Sequence, residues 1–341
     1  MSEKQRLKLA FIGCGLIAQA HWRGIQNVAD RIDVTAVVDT NADSAAAMAA
    51  ATGAVAFADL DTALAEGDFD AVDLMLPHDI HESATLACFS AGKHVLLEKP
   101  MSNELASCNR ILAAAAEIDT VFMIAEQAQY WTDVIKAREL IDAGAIGRVL
   151  NASGTFHDRV RLDPDAPPPW RFDLTRAGGG VSIDGGAHWI RPLRMMLGEI
   201  DDVVAVMGHH IPRMEGESWA QALFRFRNGT TATFTALNVM TAAAPVDMFR
   251  VTGTEGELQI TGGRTGKLKL FNAEHPSGHT VMDATQGKMD SYGAELKDFS
   301  EVVLDGTTMA APPEFSLGEF RTAKAMYRSV DSGHWEKVWE D

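Results

Sequence analysis

Positive charge is scarce in this chain. Its 341 residues carry 30 Lys and Arg against 47 Asp and Glu, a formal net charge of −17 at pH 7. That deficit argues against nucleic acid or an anionic membrane surface as the main partner. Long apolar runs are also missing. No stretch approaches the roughly 20 residues that a membrane helix needs. The first residues, Met1-Ser-Glu-Lys-Gln-Arg-Leu-Lys, lack the apolar core of a signal segment. Cysteine is limited to Cys14, Cys88 and Cys108, an odd number without metal-ligand spacing. Such cysteines read as reduced thiols in a cytoplasmic protein. No metal site is expected either: His78 with His81, and His209 with His210, lack a third ligand at a recognisable spacing. Internal repeats and long low-complexity tracts are absent.

The chain has an ordinary globular balance, 46% hydrophobic and 23% charged, and a length that suggests about two domains. Its organising stretch is Leu7-Lys-Leu-Ala-Phe-Ile-Gly-Cys-Gly-Leu-Ile-Ala18. The apolar run Leu7 to Ile12 predicts a buried strand, and the residues from Leu16 towards Asp30 predict a helix. Between them Gly13, Gly15 and Ala18 stand in the spacing G-x-G-x-x-A. Gly13 permits the tight turn, Gly15 lets a pyrophosphate approach the backbone, and Ala18 lets helix and strand pack closely. Cys14 is expected there as a small residue. A second strand, Val34-Thr-Ala-Val-Val-Asp39, ends in an acid about 20 residues on, which completes the context of a dinucleotide site. Asp39 accepts from ribose hydroxyls and would repel a 2′-phosphate. No Arg or Lys follows between Thr40 and Met48, so NAD is expected rather than NADP. Asn41, not Asp39, is the expected cap of the next helix.

Strands and helices alternate as far as Val121–Ile124, which predicts a doubly wound parallel sheet of six strands. Ligands bind outside the carboxyl ends of such strands. That places Gly13–Ile17, with Leu16 and Ile17, then Asp39, Pro77–His81, Glu98–Pro100 and Ala125–Gln129 along one crevice. A helix is predicted over Asn103–Ile118, with Asn103 as N-cap. The pattern changes after Gln127. Strand-like Val149–Phe156 precedes a proline-rich loop from Asp163 to Pro169, then Trp170-Arg171 and Gly178-Gly-Gly-Val-Ser-Ile-Asp-Gly-Gly-Ala-His188. From Val203 to Leu270 apolar and polar residues alternate, with Asn228-Gly229 as a hairpin turn. This predicts an open, largely antiparallel sheet. The expected division is a dinucleotide domain over 1–127 and a substrate-binding and oligomerisation domain over 128–341.

Lys99, at the end of a strand, is a candidate to donate to a substrate oxygen or, partly desolvated, to act as a base. Asp184 and His188 are four apart at an expected helix start, which would put both on one helical face. Asp184 is then a candidate to orient a substrate hydroxyl and His188 to take its proton. Gly185 and Gly186 would let substrate or cofactor approach the backbone. Structural readings stand beside these: a capping aspartate, a core histidine, a surface lysine.

These residues carry a family resemblance. Gly13–Ala18, Pro77–His81, Gly92-Lys-His-Val-Leu-Leu-Glu-Lys-Pro100, Ala143–Gly147, Trp170-Arg171 and Gly178–His188 resemble the Gfo/Idh/MocA superfamily of glucose–fructose oxidoreductases and inositol dehydrogenases over nearly the whole chain. The resemblance implies a nucleotide-binding domain followed by an α/β domain whose open sheet often forms the oligomer interface, here a homodimer or homotetramer. It also implies hydride transfer between the nicotinamide and a secondary hydroxyl of a sugar, polyol or sugar derivative. Lys99, Asp184 and His188 match the family's catalytic residues, and Pro77, His78, His81, Glu98, Gln127, Trp170 and Arg171 match positions that line the cofactor. Two positions depart from the pattern. Arg191 stands where many sugar dehydrogenases have an acid, and Gln129-Tyr130, before Trp131, stands where many have Arg with an aromatic. Gln129, His157 and Arg191 are therefore candidate substrate contacts. Arg191 with His157, Arg159 and Arg161 would favour an acidic sugar, unless these arginines pair with Asp158, Asp163 and Asp165. The rival functions are an NAD-sensing regulator without turnover, and a glycoside-cleaving enzyme that oxidises its substrate transiently and recycles its NAD. Neither the sugar, the carbon oxidised, the direction nor the formal base is legible in the sequence.

Overall fold

The computed structural model describes residues 5–163, 165–241, 247–262, 266–283 and 290–340. Parts of the expected second sheet, residues 242–246 and 263–265, and Pro164 of the proline-rich loop lie outside the described residues. The chain forms two compact units, Met1–Gln127 with Met289–Leu317, and Ala128–Lys288 with Gly318–Asp341. A single cut after residue 127 therefore does not describe the units.

The first unit alternates β1 (Leu7–Ile12), α1 (Leu16–Ile25), β2 (Ile32–Val38), α2 (Ala42–Thr52), β3 (Val55–Phe57), α3 (Leu60–Glu66), β4 (Ala71–Leu74), α4 (His81–Ser90), β5 (His94–Glu98), α5 (Leu105–Ala115) and β6 (Phe122–Ala125). The six strands form one sheet in the order β3-β2-β1-β4-β5-β6, all neighbours parallel. Strands of such a sheet are covered on both faces and read as continuous apolar runs. All four residues of both β4 and β6 are buried accordingly. Asn41 caps α2 as expected, its side-chain oxygen accepting from the Asp43 and Ser44 N–H groups at 3.0 and 3.1 Å. Asn103 does not cap α5. That helix starts two residues later, at Leu105, and the Asn103 side chain accepts from the Ser102 hydroxyl instead.

The second unit opens with α6 (Thr132–Asp142), β7 (Val149–Arg159), α7 (Leu174–Ala177) and α8 (Ala187–Leu197). Strands β8 (Ile200–Gly208), β9 (Trp219–Phe226), β10 (Thr231–Val239), β11 (Asp247–Gly253), β12 (Gly256–Thr261), β13 (Lys267–Asn272) and β14 (His279–Asp283) follow. After α9 (Ser291–Asp305) come α10 (Leu317–Ser332) and β15 (Glu336–Lys337). The nine-stranded sheet runs β14-β13-β12-β11-β7-β10-β9-β8-β15, and only β7 and β10 are parallel. Gly229, with φ +85°, makes the tight turn between β9 and β10 that its Asn-Gly pair predicts. Along β9 Ala220, Ala222, Phe224 and Phe226 are buried while Gln221, Leu223 and Arg225 are exposed, so one face carries the core and the other is open.

Helix α9 belongs to the first unit for a steric reason. A Cβ on Gly24 of α1 would lie 2.8 Å from the Gly293 nitrogen, so the two helices touch through their backbones. Ser291 donates to the Gln127 side-chain oxygen at 2.5 Å, and the Tyr292 ring lies 5.2 Å from that of His21. Tertiary packing of this kind leaves no local signature in the sequence.

Candidate active site

The dinucleotide loop follows β1. Gly13 has φ +97°, and a Cβ there would lie 2.4 Å from the Met75 carbonyl oxygen. Both the conformation and the contact with the end of β4 exclude a side chain. Gly15 is different: nothing lies within 4 Å of its Cβ position. The open space beside it is what a pyrophosphate needs. Gly15 caps α1 without a side-chain hydrogen bond, and the first turn holds no acid, so the helix N–H groups are not taken by a carboxylate. Ala18 is fully buried, as close helix–strand packing requires, and Leu16 is 83% exposed at the loop. Asp39 accepts from the Cys14 and Asn41 N–H groups, both at 2.8 Å, and so links the glycine loop to the end of β2. These residues fit a dinucleotide.

The segments after the other strands are arranged in more detail than the spacing shows. His81 is buried, with its ring nitrogens 2.9 Å from the Leu76 and Pro100 carbonyl oxygens. Burial holds its pKa below the usual value, although both carbonyls oppose this. A neutral ring donates to only one of them at a time. His78 is buried edge-on to it, 5.5 Å between ring centres. Both histidines thus organise the turn after β4 from inside. Glu98 also turns inward: its Oε1 lies 3.0 Å from His21 Nε2 while Oε2 accepts from the Lys99 N–H at 3.1 Å. Lys99 itself is half-buried. Gln127 is buried, its side-chain oxygen occupied by Ser291.

Behind this strand end lies a charged core that the sequence did not announce. His21 of α1 stands between Asp73 of β4, at 2.7 Å, and Glu98, with Glu295 of α9 3.8 Å away. Burial alone would favour a neutral ring, but Asp73 and Glu98 outweigh it and hold the His21 pKa well above the usual value. Burial, reinforced by Glu98 and Asp73 and opposed by His21, keeps Glu295 protonated well above the ordinary carboxyl range. Asp73 is raised for the same reason. Only the tertiary fold brings α1, β4, β5 and α9 together here.

In the second unit Asp184 and His188 are half-buried. Helix α8 begins at Ala187, so Asp184 lies in the preceding turn and the two do not share a helical face. Asp184 meets Arg171 instead, Oδ2 to Nε 3.5 Å, and the Arg171 guanidinium lies 4.4 Å over the Trp170 ring. Gly185 and Gly186 are closed in by protein rather than open to a ligand: a Cβ on Gly185 would lie 2.4 Å from Phe156, and one on Gly186 2.9 Å from the Val181 carbonyl oxygen. Trp189, next to His188, anchors α8 in the core against Trp131, Phe156 and Phe249. His157 is half-buried on β7, and burial lowers its pKa.

Arg191 corrects an expectation. It is 2% exposed, ion-paired with Glu319 of α10, and donates to the Gln129 side-chain oxygen at 3.0 Å. Arg194, equally buried, meets Glu319 at 2.8 Å and Glu199 at 2.6 Å. A carboxylate from α10, distant in sequence, neutralises Arg191, so neither an acidic sugar nor the nearby aspartates explain it. His209 and His210 are likewise occupied, by the Gly216 carbonyl and by Ser218. Among the described residues no group of three His, Cys, Asp or Glu could hold a metal ion.

Residues 7–126 match the NAD-binding Rossmann fold of the oxidoreductase family, and residues 134–259 match the GFO/IDH/MocA C-terminal domain. The chain belongs to the GFO/IDH/MocA oxidoreductase family. It is an NAD-binding oxidoreductase. It is 31% identical to a 1,5-anhydro-D-fructose reductase of Ensifer adhaerens, over 90% of this chain and 91% of that one. It is 26% identical to a levoglucosan dehydrogenase of Pseudarthrobacter phenanthrenivorans, over 86% and 83%. The solved structure of a levoglucosan dehydrogenase with NADH superposes with a TM-score of 0.89 over 99% of this chain and all of the other, at 23% identity. That likeness establishes the two-domain fold.

Proposed function

We propose that this member of the GFO/IDH/MocA family is an NAD-dependent dehydrogenase acting on a secondary hydroxyl of a sugar, polyol or sugar derivative. The observation that carries the reading is the full-length relationship to a sugar reductase at 31% identity, combined with Lys99, Asp184 and His188 at half-buried positions. Bound at the glycine loop, NAD supplies the acceptor for the hydrogen and electron pair that leave the carbinol carbon. His188 takes the hydroxyl proton, Lys99 donates to the reacting oxygen, and Asp184, held beside Arg171, orients the substrate. General acid–base help of this kind contributes about 100- to 10,000-fold. Gln129 and His157 are the remaining substrate contacts. Leu16, Ile17, Pro77, Trp170 and Arg171 line the cofactor, and the buried His78, His81, Glu98 and Gln127 hold the segments behind it. The exposed face of the second sheet, where Val206 is 57% and Leu223 36% exposed, pairs with a second copy of the chain. A cytoplasmic location fits the three buried cysteines, none of which is in a disulfide.

The test is nicotinamide absorbance with NAD, then NADP, across polyols, aldoses, uronates and inositols. Reduction of NAD by one class supports the reading and names the substrate. Silence across the panel, with NAD binding confirmed by calorimetry, overturns it in favour of a regulator or of an enzyme that recycles its NAD. Release of a cleaved sugar then separates those two.

A further inference from the structure

The turn that carries Asp184 and leads to His188 is held by one acid. Residues 178–186 form a compact loop between α7 and α8, closed by the Asp184 N–H on the Gly180 carbonyl at 3.1 Å and the Gly186 N–H on the Val181 carbonyl at 2.7 Å. Three successive N–H groups at its start point to a single residue, Glu217, just before β9. Its side chain accepts from Gly180 at 2.9 Å and from Ser182 at 2.7 Å, and its backbone carbonyl accepts from Val181 at 2.9 Å. Glu217 is 4% exposed and Ser182 fully buried. Helix α10 completes the arrangement. The Tyr327 hydroxyl donates to Glu217 at 2.8 Å and lies 3.0 Å from the Gly180 nitrogen, and Lys324 donates to the Gly178 carbonyl at 2.8 Å. The fit allows no slack: a Cβ on Gly180 would lie 2.1 Å from the Glu217 carbonyl oxygen, and one on Gly179 2.2 Å from the Tyr327 hydroxyl.

We propose that Glu217, backed by Tyr327, is a positioning residue that sets the loop carrying Asp184 and leading to His188, and through it their alignment for the reaction. A carboxylate accepts on both oxygens, whereas an amide in the same place presents an N–H₂ to one of the loop N–H groups. No side chain other than an acid of this length meets Gly180 and Ser182 at once. Burial, followed by the Glu217 charge, keeps the Tyr327 hydroxyl protonated and donating far above the usual tyrosine range. Two segments distant in sequence, the approach to β9 and helix α10, thus converge on the loop, an expense in buried polar groups that a plain connection between helices does not need.

The inference rests on the dehydrogenase reading for its catalytic consequence. Glu217→Gln and the milder Tyr327→Phe test it in the full chain, with the substrate found by the absorbance panel. Misplacement of a reacting group by about 1 Å costs roughly 100-fold. Glu217→Gln is expected to lower kcat by that order, and Tyr327→Phe by about two- to fivefold, with NADH affinity unchanged. The primary isotope effect on kcat, with substrate deuterated at the carbinol carbon, should rise in both, because the chemical step becomes slower. A purely structural role would lower the fraction of folded enzyme and leave the isotope effect as it was; that result overturns the proposal, as does wild-type kcat in folded Glu217→Gln. Hydrogen exchange of the 178–188 segment gives a readout that needs no turnover, with faster exchange expected in both variants. Should the wild type oxidise no sugar, the dehydrogenase reading fails by itself. Unchanged exchange at Gly180, Val181 and Ser182 in Glu217→Gln would then sink the clamp as well.

Discussion

Single residues divide here into half-buried candidates for the site and those turned inward to protein partners. Lys99, Asp184 and His188 are half-buried, whereas Glu98, His81 and Arg191 turn inward to protein partners. Lys99→Ala should therefore lower turnover by about 100- to 10,000-fold while NADH affinity stays near that of the wild type; steady-state kinetics and calorimetry together check this. Asp39 has a double duty, since it holds the glycine loop through Cys14 and faces the adenosine ribose in the dinucleotide reading. Asp39→Ala should weaken NADH binding by at least about fivefold, roughly 1 kcal/mol for a lost hydrogen bond, and narrow the preference for NADH over NADPH. Unchanged discrimination between the two would remove Asp39 from cofactor choice. Cysteine chemistry is suppressed: burial pushes the Cys14 thiol up to about 11 and the Cys88 thiol up to about 12.

Elements are joined through buried charge. In the second unit α10 brings Glu319 to Arg191 and Arg194 of α8, and Arg194 also reaches Glu199. The guanidinium of Arg194 fills the space beside Gly318, where a Cβ would lie 2.0 Å from its central carbon. Removing one partner of a buried pair leaves an uncompensated charge and costs about 3–5 kcal/mol. Glu319→Ala should destabilise the second unit by that order in urea unfolding; a loss below about 1 kcal/mol would show that Gln129 and Glu199 suffice for the two arginines. In the first unit α9 is attached through backbone contact at Gly24 and Gly293 and through Glu295 in the His21 cluster.

At the scale of the molecule that cluster links stability to pH. His21, Asp73 and Glu295 all have raised pKa values, so the folded chain binds more protons than the unfolded one. Stability then falls as pH rises. For Glu295 the loss begins above its unfolded value of about 4.5. For His21 the contribution is fully present below about 6.5 and disappears as pH climbs through the raised folded value. Glu295→Gln removes one of these groups. Its melting temperature should match the wild type near pH 5 and exceed it by a few degrees near pH 9, about 2–4 °C per kcal/mol in a unit of this size; parallel pH profiles for the two proteins would exclude the linkage. The open sheet face supplies a second test. Leu223→Glu should shift sedimentation towards the monomer, and an unchanged sedimentation coefficient would place any interface elsewhere. No helix among the described residues is long and apolar enough to cross a membrane.

Local chemistry made half of this protein legible. The Gly13 turn, the Asn41 cap and the Asn228-Gly229 turn are short-range devices whose geometry follows from their own backbone, and the apolar runs of β1, β4 and β6 follow from burial on both faces. The sequence by itself thus determined the Rossmann sheet, the turn of its glycine loop and the alternating second sheet. Other features needed partners far along the chain. The pairing of Asp184 with Arg171 rather than its place on a helix with His188, the burial of Arg191 against Glu319, and the return of α9 to the first unit all depend on them. So do the three N–H groups gathered by Glu217 and the carboxylates around His21. Only tertiary structure decided these, because a buried charge or an orphan N–H is satisfied by whatever group the fold brings within reach, and spacing along a sequence carries no record of that distance.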